Sequence, residues 1–492
     1  VSGPDVVVVG AGPNGLAAAV TLARSGLAVT VLEEQTTAGG GARTLGLGLA
    51  PGIVHDVCSA VHAMAWASPF FRAFDLEAHG VELLTPRVSY GQPIEGARAA
   101  VAYHDLATTV AALGPDGGAW EGLLGPVVRG WRAVADAGMG DPAGLAGRVP
   151  DLVRTGGIRP LVALALRVLE QGTPAWGLRF RGDEAPALLS GVAAHAISRV
   201  PSLPSAAVAL LLAALAHACA GWAVPRGGSQ AIVDALLADL AAHGGVVVTG
   251  HPVQSAADLP PARGYVFDTT PRVVAQVLGD RLPTRVRRRL TGFRHGPGAA
   301  KVDFVLAGPV PWAAPGLREA GTVHLGGTRG EIAAAEAAVV AGRHVARPVC
   351  LVSDPAVTDP TREAGGLRPL WSYAHVPAGS TADVTEAVTA QIERFAPGFR
   401  DVVVASRCVP AARMADHDSN LVGGDILGGA LGLGRIITGP AGLHPYGVGV
   451  PGVVLCSSST PPGPGVHGAG GYNAALHLLR TRFGAEGVVP FT

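Results

Sequence analysis

Gly10, Gly12 and Gly15, in the stretch Val6 to Gly15 (VVVVGAGPNG), have the spacing that brings bare backbone against a pyrophosphate. Asp5 to Val9 reads as a buried strand, the glycines as a tight turn carrying Pro13 and Asn14, and Leu16 to Arg24 as a helix. Gly12 has no side chain to hold a ligand off, and the helix N-terminus turns free N–H groups and its positive dipole end toward the phosphates. Small Gly15 lets helix and strand pack closely. A second apolar run, Ala28 to Leu32, ends in Glu33 and Glu34, about 20 residues past the glycines, where a carboxylate accepts hydrogen bonds from a ribose 2′-hydroxyl and repels a 2′-phosphate. Strand, glycines, helix, strand and terminal acid together specify dinucleotide binding.

The bare pattern recurs at Gly447, Gly449 and Gly452, but there the glycines precede a strand, so they read as a loop. With no further strand, glycine turn and helix unit, one dinucleotide is expected, bound tightly and meeting substrate directly. Ala38 to Thr44 (AGGGART) places Gly40, Gly41, Ala42 and Arg43 where many flavoproteins have a second glycine turn beside the pyrophosphate, which favours FAD over NAD. Near the other end, Ser459 to Asn473 (STPPGPGVHGAGGYN) follows a short strand, Val453 to Ser457, and leads into a helix, Tyr472 to Arg480. A helix N-terminus there stabilises the negative charge of a reduced flavin near N1 and O2.

Other residues must supply the reaction. Lys301, in GPGAAKVD, is the single lysine among 37 lysines and arginines. Where arginine serves for charge, the one lysine kept does something arginine cannot, such as presenting a compact ammonium or holding a water near flavin N5. His55 and His62 flank the segment after the second glycine turn, His467 lies in the closing glycine loop, and His375 in WSYAHVP. An imidazole titrates near working pH and can remove a proton while hydride leaves. His467 and Tyr472 are expected near the flavin and His62 near substrate. Asn420 and Asp425 (NLVGGD) are read first as turn residues, with hydrogen bonding to a polar part of a ligand as the alternative.

Composition narrows the class. With 37 basic and 37 acidic residues and no basic run longer than Arg287 to Arg289, nucleic acid is not an expected partner. The five cysteines lie far apart with no CxxC, which leaves neither a dithiol centre nor a cysteine zinc site and suits a reducing cytoplasm. Val6 to Val9 runs into the glycine turn rather than to a cleavage site, so no signal peptide is expected. Ser205 to Trp222 is apolar over barely the ~18 residues a membrane span requires, and His217 interrupts it, so it reads as a buried helix. High apolar content allows peripheral membrane contact or a greasy substrate tunnel.

At 492 residues the chain suits two interleaved domains. Gly227 to Ser229 opens a helix (Gln230 to His243) that leads to the strand Val246 to Thr249 and on to Val253. Tyr265 to Asp268 is another strand, ending at Thr269. These belong beside the first sheet. The expected division is 1–106, 223–300 and 392–492 for the FAD-binding unit, and 107–222 and 301–391 for the substrate unit.

The opening VVVVGAGPNGLAAAVTLARSG, the AGGGART turn, the GGSQAIVDALLADL helix start and the closing CSSSTPPGPGVHGAGGYNAA resemble the phytoene desaturase and carotenoid isomerase type of FAD-dependent oxidoreductase. Within it, the nearest likeness is to the bacterial branch similar to pyridine nucleotide-disulphide oxidoreductase domain-containing protein 2. Where carotenoid desaturases usually show Thr-His-Pro-Gly, this chain has Thr460-Pro461-Pro462-Gly463. The resemblance implies an α/β fold, a Rossmann-like FAD-binding domain of the glutathione reductase type interleaved with a mixed α+β substrate domain. It implies extended FAD, with the adenine end near Glu33 and Val253 and the isoalloxazine near Gly465, Val466, Gly468 and Tyr472, and further cofactor contacts at Thr269 and Ser459. The expected reaction removes hydride from a C–C bond of a mostly apolar small molecule to flavin N5, with electrons passing to oxygen or a quinone. Oxidation of a C–N bond in an amine and a redox-neutral isomerisation are the alternatives.

Overall fold

The computed structural model describes residues 3–141, 149, 150, 152–432, 438–442, 444–485 and 491. Two sheets organise them. The first has five parallel strands, in the order Val453–Leu455, Gly264–Phe267, Val6–Val9, Val29–Leu32 and Val246–Val248. Val6–Val9 is wholly buried because helices cover the sheet. The helix Pro13–Arg24 packs with Gln230–Ala242 and Ala469–Arg482 over one face, around Leu16, Val20, Ile232, Leu236, Ala475 and Leu478.

The second sheet is mixed and seven-stranded, in the order Val403–Val409, Gly298–Leu306, Arg368–Val376, Cys350–Ser353, Thr322–Leu325, Val88–Glu95 and Arg98–Tyr103. The hairpin Val88–Tyr103 and the strand Val403–Val409, which the expected division places in the FAD-binding unit, form the two ends of this second sheet. Both are joined to it by partners distant in sequence: Val323 registers with Gly91, and Val302 with Cys408.

Alternation along these strands separates two kinds of surface. One face carries Ala300, Val302, Phe304, Leu370, Ala374, Val376, Cys350, Val352, Val323 and Leu325, all buried in an apolar core with Val388, Ile392 and Phe399. The opposite face carries the polar groups described below.

Helices from the stretch between the hairpin and Trp222 cap that opposite face around Trp120, Leu188, Leu210 and Trp222. The apolar run from Ser205 forms the helix Leu203–Leu215, which a Ser202 capping box starts and which ends short of Trp222. Among the described residues, no helix is long and apolar enough to cross a membrane. Val162, Leu166 and Leu169 stay exposed at helical spacing on Ile158–Gln171.

Candidate active site

The first glycine turn is as tight as its composition requires. A Cβ on Gly15 would lie 2.1 Å from the Gly10 carbonyl oxygen, and one on Gly12 would lie 2.7 Å from a carboxylate oxygen of Asp268. Pro13 opens the helix at its first position, where its missing N–H costs nothing. The second turn lies against the first: the Gly39 N–H donates to the Ala11 carbonyl at 2.9 Å, and a Cβ on Gly40 would stand 3.1 Å from the Gly12 Cα. Gly41 faces Cys58, and Ala42 is buried. The Arg43 guanidinium braces this turn, donating to the Gly40 and His417 carbonyls.

Glu33, buried at the end of its strand, accepts the Ala11 N–H at 2.7 Å and the Gln35 N–H at 2.9 Å. Desolvation raises its pKa, and these two hydrogen bonds oppose the rise. Glu34 beside it is exposed. Val253 packs against the sheet with Val7, Val9 and Leu32, close to Glu33, whose carbonyl accepts the His251 N–H at 2.8 Å. Thr269 follows the end of the neighbouring strand.

The closing glycine stretch meets the opening one through backbone. The Gly471 N–H donates to Asn14 Oδ1 at 3.4 Å, and a Cβ on Gly471 would fall 1.7 Å from the Asn14 carbonyl oxygen. The helix Ala469–Arg482 therefore rides directly on Pro13–Arg24, which brings Gly465, Val466 and Gly468 to the first turn's side of the molecule. Gly468, at φ 63°, lies against Ala17 and Phe70, while Gly465 is exposed. Ser459 Oγ donates to the Gly428 carbonyl at 2.8 Å.

Three of the candidate catalytic residues are engaged as follows. His467 Nδ1 accepts the Ala469 N–H at 3.0 Å, so its Nε2 carries the proton and donates to the Gly463 carbonyl at 3.2 Å. Burial pushes its pKa down to about 4, and the neutral ring spends both nitrogens bracing the loop. The Tyr472 ring packs at a tilt against Phe70 and Phe491 in the helical layer. His62 Nε2 lies 2.8 Å from Ser229 Oγ, whose own proton goes to the Ser59 carbonyl. His62 must then donate from Nε2, leaving its buried Nδ1 with a lone pair and no partner. Desolvation lowers its pKa to about 4.

Lys301 stands on the polar face of the seven-stranded sheet. Directly opposite partners share a face, and the register Lys301, Tyr373, Leu351, His324 runs straight across four adjacent strands. Lys301 is 2 % exposed; it is salt-bridged to Asp303, two residues along the same face, and its ammonium lies over the Trp371 ring. Burial lowers its pKa, with Asp303 opposing the fall. Trp371 and Tyr373 meet edge to face at 5.2 Å.

Ala60, Val61 and Ile426 pack onto Trp371 and Tyr373, so the segment after the second glycine turn lies between that turn and the polar face. The Cys58 thiol there is pushed up to about 12 by burial and then by Asp418, so it is not a thiolate nucleophile. His55 Nδ1 is 3.5 Å from Asp303, and beside it Asp56 is paired with Arg362 at 3.0 Å.

Farther along the same face, His375 Nδ1 meets Glu336 at 2.5 Å, and His324 and His195 touch through their Nε2 atoms at 2.9 Å. Asn420 and Asp425 tie their loop to distant segments: Asn420 Nδ2 donates to the Asp268 carbonyl, and Asp425 accepts the Gly296 N–H as well as the local Leu427 N–H. Among the described residues no group of three or more His, Cys, Asp or Glu is placed to hold a metal ion.

Sequence reasoning did not single out Asp303, Asp268, Trp371 or Glu336 as functional groups. Asp303 had a usable signal, since residues two apart on a strand share a face. Asp268 had another, as the residue directly after a parallel strand beside the glycine turn.

These features define a dinucleotide-binding Rossmann-like domain joined to a mixed-sheet second unit. Residues 8–75 match the NAD(P)-binding Rossmann-like domain family. Over nearly its full length the chain is similar to an uncharacterized protein of Mycobacterium tuberculosis, 26% identical over 569 residues and covering 96% of this chain and 97% of the relative. Among solved structures it is similar to an oxidoreductase from Methanosarcina mazei, with a TM-score of 0.55 at 14% identity over 96% of this chain and 99% of the other. It is likewise similar to a putrescine oxidase bound to putrescine, with a TM-score of 0.56 at 16% identity over 97% and 99% of the two chains.

Proposed function

We propose that this protein is an FAD-dependent oxidoreductase that takes hydride from a C–H bond of a mostly apolar small molecule held on the polar face of the mixed sheet. The observation that carries the reading is the placement of Lys301 and its aromatic neighbours on that face, with the segment after the second glycine turn packed against them. The two glycine turns, Glu33 and the closing loop fit FAD, since the two turns pack directly on each other at Gly12 and Gly40 beside the helix N-terminus at Pro13. Bound FAD would supply the hydride acceptor, and oxygen or a quinone would take the electrons onward.

The chain's own groups do the rest. Asp303 accepts one N–H of Lys301, and the others are available to orient a substrate or a water at the sheet face. Trp371 and Tyr373 give that ammonium an apolar wall, and Ala60, Val61 and Ile426 keep bulk water from it. His62 presents a bare Nδ1 that stays neutral at working pH. The expected reaction is dehydrogenation at a C–C bond, as the resemblance to desaturases suggests. Oxidation of an amine C–N bond is the second reading, and the aromatic pair beside a buried lysine favours it.

Anaerobic mixing of the flavin-loaded protein with saturated or partly unsaturated apolar compounds, and separately with apolar amines, decides between them. Loss of the oxidised flavin absorbance with the first set supports C–C dehydrogenation, and loss with amines alone supports the second reading. Turnover to an isomer without any bleaching contradicts both.

A further inference from the structure

Asp268 closes the carboxyl end of the strand Gly264–Phe267, and its Oδ2 accepts the Gly15 N–H at 2.8 Å. The same oxygen would stand 2.7 Å from a Cβ on Gly12. A carboxyl group thus shares the backbone cradle that the glycines and the helix N-terminus form for phosphate. Asp268 is 6 % exposed.

The surrounding elements add more negative charge than positive. Buried Glu33 faces the turn from its own strand, accepting the Ala11 N–H, and half-buried Asp418 faces Gly40 from the loop after His417. Arg43 is the cation on the second turn, and its guanidinium is committed to the Gly40 and His417 carbonyls. Asn420 contributes an amide to the Asp268 carbonyl, and Cys456, at the end of the adjacent strand, contributes a buried thiol. A pyrophosphate carries two fixed negative charges, and an ionised Asp268 in the same cradle would repel it.

We propose that Asp268 binds the dinucleotide in its protonated form, giving its carboxyl proton as a hydrogen bond to a pyrophosphate oxygen, so that FAD binding takes up one proton from solvent wherever the free carboxyl is ionised. This rests on the FAD reading above. Before the ligand arrives, desolvation raises the Asp268 carboxyl to about 7, with the Gly15 N–H opposing and Asp418 and Glu33 adding to the rise. Below that value the carboxyl is already neutral and affinity is flat. Above it the proton must be taken up first, and the dissociation constant rises by up to about tenfold per pH unit. An asparagine donates through its amide and does not titrate.

The test is ultrafiltration of the FAD-loaded protein across about pH 6 to about pH 9, reading free flavin by fluorescence, for wild type and Asp268→Asn. The expected result is a wild-type dissociation constant that is level near pH 6 and about 10- to 100-fold weaker near pH 9. Asp268→Asn should be level throughout and tighter than wild type at the alkaline end. Calorimetry of FAD binding near pH 9 in two buffers of different ionisation heat should show close to one proton taken up by wild type, and this holds even if the variant does not fold. A level wild-type curve, a variant that tracks wild type, or binding without proton uptake overturns the proposal and leaves FAD binding standing. Failure of wild type to hold FAD at any pH overturns both.

Discussion

The Nζ of Lys301 lies 5.1 Å from the centroid of the Trp371 ring, on the one face of the mixed sheet where the polar side chains gather. Lys301→Met should keep bound flavin but slow its reduction by substrate, or its reoxidation, by roughly 10²-fold, as loss of a positioned polar group does. Lys301→Arg should not restore the rate, because a guanidinium cannot replace a compact ammonium in a space closed by Trp371 and Asp303. Stopped-flow absorbance of the flavin reads both, and unchanged rates in Lys301→Met remove the lysine from the reaction.

Asp303 and Lys301 are both buried, so removing one charge strands the other. Asp303→Asn is expected to cost about 3–5 kcal/mol of stability, and adding Lys301→Met to it should recover part of that loss. Chemical denaturation of the two single variants and the double variant gives the coupling. Additive losses would show that the pair does not act as one.

Asp268 should also mark the stability of the flavin-free protein. Its carboxyl is raised from 3.8 to about 7 in the folded state, so the folded protein binds the extra proton between those values. Stability from this group is full below about pH 4, falls as pH rises toward about 7, and is level above that. Asp268→Asn removes the fall. Melting temperatures of the two flavin-free proteins, compared over this range, should diverge as pH rises; parallel curves would refute the shift.

Gly471 has no room for a side chain, since a Cβ there would overlap the Asn14 carbonyl oxygen. Gly471→Ala should push the two helices apart, destabilise the protein by about 1–3 kcal/mol or more, and lower its flavin content. Gly122, exposed in the helix Gly117–Arg129 with only Arg179 near, is the control: alanine there should gain about 0.5–1 kcal/mol. Equal behaviour of the two variants in thermal melts would contradict the close approach.

The dinucleotide unit was legible because its signals are local. Val6 to Val9, the glycines and Glu33 lie within one strand, helix and strand repeat, and the second glycine turn follows directly. The mixed sheet was less legible. Arg98 to Tyr103 carries no polar–apolar alternation, and its place in the sheet depends on Val88–Glu95, its hairpin partner, where Gly91 meets Val323, a pairing no local pattern encodes. The same holds for the chemistry on that sheet, since Lys301, Tyr373 and His324 share a row only through a register set by four strands. His467 and Tyr472 looked reactive by type and position. Their contacts, a braced loop and an aromatic cluster, are fixed by tertiary packing.

The most direct test is the nucleotide that the purified protein carries. Heat release, followed by phosphodiesterase treatment of the supernatant, should give flavin whose fluorescence rises on cleavage, which identifies FAD, in near-stoichiometric amount. Release of NAD(P) instead, or a folded protein that neither carries nor takes up FAD, would contradict the proposed function.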